Sequence, residues 1–135
     1  MWIEKIKKYA KTIRLIDIKA PATDTEIQNL EKLLGEIPSD LVILLKELNG
    51  DGCVLLSVNE IIETNKRLRS LEDYMPLDCL LFFAGNGCGD YYGYQVRKAG
   101  ICAYNIFFWD HEYDNRTWTA GNMDEFISKY CNGEI

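Results

Sequence analysis

The run Leu80-Leu81-Phe82-Phe83-Ala84, followed by three glycines in five positions (Gly85, Gly87, Gly89), limits what this chain can fold into more than any other stretch. Five consecutive apolar residues are too few for an ordinary helix and too apolar for a surface strand. They predict a strand covered on both faces. The glycines then break it, because glycine takes a positive φ without steric penalty. Asp90 to Val96 resumes with tyrosines and a valine and predicts a second strand. The result is a central hairpin with an irregular connection. As a phosphate cradle this turn fits poorly: its glycines do not match G-x-G-x-x-G, no Lys-Ser or Lys-Thr pair follows, and Asp90 would repel an anion.

The elements around the hairpin follow from periodicity and caps. Met1 to about Ile16 reads as an amphipathic helix, with Trp2, Ile3, Ile6, Ala10 and Ile13 on one stripe and Lys5, Lys8 and Lys11 on other faces. Such a basic helix suits a membrane surface or, as preferred here, docks its stripe on its own domain. Thr23 and Glu26 form a capping box ahead of Ile27, Leu30, Leu33 and Leu34, and Gly35 ends that helix. Pro38 fits the start of the next, whose residues Leu41 to Leu45 and Leu48 predict the most buried helix of the chain. Gly52 to Leu56 is expected as a short strand. Ser57 and Glu60 repeat the capping box and open a helix to about Tyr74, with Val58, Ile61, Ile62, Leu68 and Leu71 inward. Ile101–Trp109 and Arg116–Thr119 predict two more strands. Asn122 with Glu125 caps a last helix striped by Met123, Phe126, Ile127, Tyr130 and Cys131. Helices, then an antiparallel sheet, then a closing helix predict an α+β fold in one domain over residues 1–135.

At 135 residues the chain can bury a core without metal or disulfide support. Its net charge of −6 is unevenly placed: residues 1–19 carry six Lys/Arg against two acids, the remainder nine against nineteen. A +4 segment thus precedes a −10 body. An acidic body disfavours nucleic acid and favours a basic partner. Five cysteines with no C-x-x-C and a single histidine give no zinc spacing and predict free thiols in a reducing compartment. No signal-peptide pattern or membrane-length apolar run is present, so the expected location is cytoplasmic.

Chemistry-bearing residues are sparse. Asp110-His111-Glu112 sets the only histidine between carboxylates, a pattern that suits acid–base chemistry, with Cys88 or Cys102 as conceivable nucleophiles. Adjacent residues on an extended segment point to opposite sides, which favours a polar loop. Asp110, Glu112 and Asp114 suggest calcium, but the sixth and twelfth loop positions hold Asn115 and Gly121 instead of Gly and Glu. No catalytic residue, metal or cofactor is expected. The remaining signal is a surface of acids and aromatics: Asp90, Tyr91, Tyr92, Asp110, His111, Glu112 and Asp114 form a candidate partner-binding patch if the two loops meet.

Four stretches carry a family resemblance. Glu26-Ile27-x-x-Leu30-Glu31 leads into Ile37-Pro38-Ser39-Asp40-Leu41 and Leu48-Asn49-Gly50; Phe82 to Tyr92, Phe108-Trp109-Asp110-His111-Glu112 and Asn122 to Tyr130 follow. Their order resembles the SUKH superfamily, also known for the yeast Smi–Knr cell-wall regulators, over residues 23–130. Ile37 stands where leucine is usual, and Asp51 where a second glycine is common, on a loop that a partner would touch. The resemblance implies an α+β sheet wrapped by helices and a non-enzymatic immunity protein. Such a protein neutralises a polymorphic or contact-dependent toxin, often a basic nuclease, by direct binding, without nucleic acid, membrane or small-molecule substrate. It also admits an adaptor of the Smi–Knr type, and the residues alone leave a small hydrolase as a third, weaker reading.

Overall fold

The computed structural model describes all 135 residues. Four helices come first: α1 (Trp2–Ala10), α2 (Asp24–Leu34), α3 (Ser39–Glu47) and α4 (Val58–Arg69). Strands β1 (Leu80–Gly85), β2 (Tyr91–Arg97), β3 (Gly100–Asp110) and β4 (Asn115–Ala120) follow, and α5 (Met123–Cys131) closes the order. The strands form one antiparallel sheet in the order β1-β2-β3-β4. This is the α+β layout that the sequence predicts.

Every residue of β1 is buried, and its alternation divides the core in two. Leu81 and Phe83 join the main cluster, which draws residues from all five helices. Leu80 and Phe82 face a smaller cluster built by Leu68, Leu77 and Trp109. Helices therefore pack on one face, while the end of α4 and the loop after it close the other beside β1. The hairpin depends on Gly93 in β2: a Cβ there would lie 2.8 Å from the Leu81 carbonyl oxygen, a distance no side chain tolerates.

The capping boxes at Thr23/Glu26 and Ser57/Glu60 form as expected, and Asn122 accepts the Glu125 N–H at 2.9 Å. Several boundaries differ from expectation. α1 stops at Ala10 instead of reaching Ile16, because the chain beyond it pairs with a distant segment. Asp17 and Lys19 donate their N–H groups to the Asp51 and Gly50 carbonyls (2.7 and 3.1 Å), and Ala22 donates to Leu45 (2.9 Å). α4 ends at Arg69, not near Tyr74, and Leu71 is exposed. Leu33, assigned to the inner stripe of α2, is exposed as well. The most buried helix is α4, with six buried residues against three in α3.

Gly52–Leu56 is not a strand; only Leu55 bridges to Ala84. The reason is Asp51. Its Oδ1 accepts the N–H groups of Cys53, Val54 and Leu55, each at 2.9 Å, which curls the segment into a turn. Its Oδ2 accepts the Tyr130 hydroxyl. Asp51 is completely buried, so its side chain shapes this loop from within. Asn65 plays a comparable part on α4: Nδ2 donates to the Ile61 and Phe82 carbonyls (2.7 and 2.8 Å), and Oδ1 accepts the Phe82 N–H (2.9 Å). The side-chain amide thus serves edge strand β1 as a further strand would.

Candidate functional site

The register places the β1–β2 turn (residues 86–90) and the β3–β4 turn (residues 111–114) at the same end of the sheet, since Tyr91 pairs with both Gly85 and Trp109, and Asp110 with Asn115. Within the first turn Asn86 acts as organiser. Its Oδ1 accepts the Cys88 and Asp90 N–H groups (2.9 and 3.3 Å), and its Nδ2 donates to Asp90 Oδ2 (2.9 Å). That leaves Asp90 Oδ1 aimed at the neighbouring turn, where it accepts the His111 backbone N–H at 3.0 Å and meets His111 Nδ1 at 2.6 Å. Gly89, at φ +93°, is required here: a Cβ would sit 3.0 Å from His111 Nδ1.

Charge follows from this contact. Burial pushes the Asp90 carboxyl up, but the hydrogen bonds from the His111 N–H, Asn86 and the imidazole outweigh it and hold the group below the ordinary carboxylate range. The bond to Asp90 raises His111 above its usual value against a smaller opposing effect of burial, and the charges of Asp90, Glu112 and Asp110 add to the rise. Asp90, Asp110 and His111 together offer ligand atoms within 4.8 Å of one another, enough to suggest a cation site. Asp90 is nonetheless already engaged on both oxygens, so an ion would have to displace hydrogen bonds that hold the two turns together. No cysteine is among the hydrogen-bond partners of His111; its ring partner is Asp90.

The other expected patch residues divide by role. Asp110 Oδ1 accepts the Glu112 N–H at 2.9 Å and shapes the turn, while Glu112 is exposed. Tyr91 lies half-buried on Phe82 and accepts a hydrogen bond from Arg67 at 3.0 Å. Tyr92 points inward to Phe108 and Phe126 and is only 7% exposed, so its ring is core and not a surface anchor. Asp114 is also spent internally. Its Oδ1 accepts the Trp109 indole N–H and Arg116 Nη2 (2.8 and 3.0 Å), and its Oδ2 accepts the Met75 N–H (2.9 Å). Burial works to raise the Asp114 carboxyl, and these partners more than offset it, leaving it below the ordinary range. Through Asp114 the loop of residues 70–79 joins the two turns as a third wall.

The SMI1 / KNR4 family (SUKH-1) matches residues 21–129, from just before α2 to within α5. The chain belongs to the SMI1 / KNR4 family (SUKH-1). No curated protein matches it. In this SUKH-1 chain the Gly89-Asp90-Tyr91 stretch and the Trp109-Asp110-His111-Glu112 stretch, which resemble separate family motifs, are one physical unit. Asp90 and His111 fasten them although they lie 21 positions apart. α1 lies ahead of the matched span, and no helix is long and apolar enough to cross a membrane.

Sequence reasoning missed the third wall and its exposed residues. Tyr113 stands on the tip of the β3–β4 turn with 75% of its surface open. Its signal was available: it sits between two acids in a polar turn, outside any apolar periodicity. The inward Tyr92 was legible from the alternation Tyr92, Tyr94, Val96 along β2, all packed into or against the main core.

Proposed function

We propose that this SUKH-1 protein is a non-enzymatic immunity protein that neutralises a basic toxin domain, of nuclease type, by direct binding. The observation that carries the reading is the charge at the end of the sheet. Residues 72–75, 86–90 and 110–115 contain six acids and no Lys or Arg. Nearby cations are turned to internal duties: Arg67 to the Tyr91 hydroxyl, Arg69 to the Leu80 carbonyl, Arg116 to Asp114. Nuclease active sites are basic because they bind phosphates, and a fixed acidic surface attracts and orients such a partner. Family membership supports the same class of role, and a cytoplasmic location belongs to this proposal.

Co-expression with the toxin domain encoded beside its gene is the test. Growth should be restored and a stoichiometric complex should co-purify, with association that weakens as salt rises. Continued lethality with no complex would overturn the pairing. Recovery of many unrelated cellular proteins instead would favour the adaptor role, which rests on the same family membership.

A further inference from the structure

We infer that Tyr113 and Met75 are the apolar anchors of the acidic surface, and that it receives a basic protein segment carrying an apolar side chain; this deepens the immunity reading and rests on it. Tyr113 and Met75 are 75% and 66% exposed, among the most open large apolar residues of the chain. Single exposed apolar groups are ordinary. These two are set apart by their setting.

Both are tied to the same carboxylate. Asp114 follows Tyr113 in the chain, accepts the Met75 N–H, and positions Arg116, which donates to the Met75 carbonyl at 2.9 Å. Tyr74 stacks edge-on against Trp109 at 5.0 Å, and Leu77 is buried, so the loop is pinned on both sides of Met75. Glu72, Asp73 and Glu112 are exposed on the same loop and turn, with Asp110 half-buried beside them. None of these four acids takes part in an ion pair. An aromatic and a flexible methionine inside a charged rim match the anatomy of a binding hot spot.

The rim selects the occupant. A lipid surface or nucleic acid brings phosphates against these carboxylates, and two copies meeting face to face at this surface would set acid against acid. A segment with Lys or Arg flanking an apolar residue meets both features at once.

The test needs no toxin. A random peptide library displayed on phage is panned at low ionic strength against the immobilised full chain. The selected peptides should be rich in Lys and Arg around an apolar or aromatic residue. Their affinity should fall about tenfold in Tyr113→Ala and in Met75→Ala, the loss expected of a hot-spot truncation. Trp118→Ala, an exposed aromatic on β4 away from the three segments, should leave affinity unchanged. Unaltered urea midpoints would show that the variants fold. Peptides without basic enrichment, peptides indifferent to both anchor substitutions, or no selected peptides would each overturn the assignment. If toxin rescue fails while this succeeds, the surface serves another basic partner; in the reverse case the toxin contacts a different face.

Discussion

Replacing Asn65 by alanine should destabilise the protein more than any other polar substitution on α4. The side chain satisfies both backbone groups of Phe82, which is itself fully buried. Alanine leaves that N–H and C=O without their side-chain partner at a fully buried position. Each orphaned buried group costs about 1–3 kcal/mol, so the pair costs about 2–6 kcal/mol. That is a large part of the roughly 5–15 kcal/mol by which domains are stable. At roughly 2.1 cal/mol/K of unfolding entropy per residue, a mid-range loss lowers Tm by about 10–15 °C. Urea denaturation followed by tryptophan fluorescence measures it, since Trp109 lies 5.9 Å from the Phe82 ring. Asn59→Ala, at an exposed position of the same helix, is the control and should change stability by less than about 0.5 kcal/mol. A loss below about 1 kcal/mol in Asn65→Ala would refute the argument, because Phe82 would then be satisfied by something other than the amide.

Three further substitutions probe the frame and the joined turns. Asp51→Ala removes the acceptor of three N–H groups and of the Tyr130 hydroxyl and should cost about 3 kcal/mol or more, with Asp51→Asn distinctly milder; equal midpoints for the two variants would contradict this. Gly93→Ala forces a methyl group against the Leu81 carbonyl and should leave little folded protein by circular dichroism at 37 °C, an outcome contradicted by a near-native melting curve. The pH dependence of His111→Ala tests the join itself. A raised His111 stabilises below its unfolded value and loses that contribution as pH rises through the folded one; a depressed Asp90 stabilises above its unfolded value and loses it as pH falls. The join is therefore strongest between about pH 4 and pH 6.5, and the stability gap between wild type and His111→Ala should be wider near pH 5.5 than near pH 9. A gap independent of pH would refute a contribution linked to protonation of the imidazole.

The features legible in the sequence were those whose cause lies within a few residues. Thr23 with Glu26 and Ser57 with Glu60 mark helix starts because a hydroxyl reaches an amide three residues on, whatever the rest of the chain does. The apolar run of β1 and the broken turn after it are equally local. The misjudged boundaries have distant causes. Nothing near Asp17 says that its N–H will meet the Asp51 carbonyl, and nothing near Leu55 says that one aspartate will gather three amides into a turn. The site was read in part for the same reason. Two acidic turns were visible, but their meeting through Asp90 and His111, and the arrival of Met75 beside Asp114, are products of the register and of a loop without periodicity.

The bond between Asp90 and His111 also bears on how fast this protein can act. Two hairpin tips that moved independently would each have to be stilled by an arriving partner, at a cost in freedom charged to every encounter. Here that freedom is surrendered when the chain folds. Capture then waits on collision and orientation alone, and acidic steering shortens that wait. For a protein proposed to intercept an enzyme already at work, readiness before contact matters as much as the tightness of the grip.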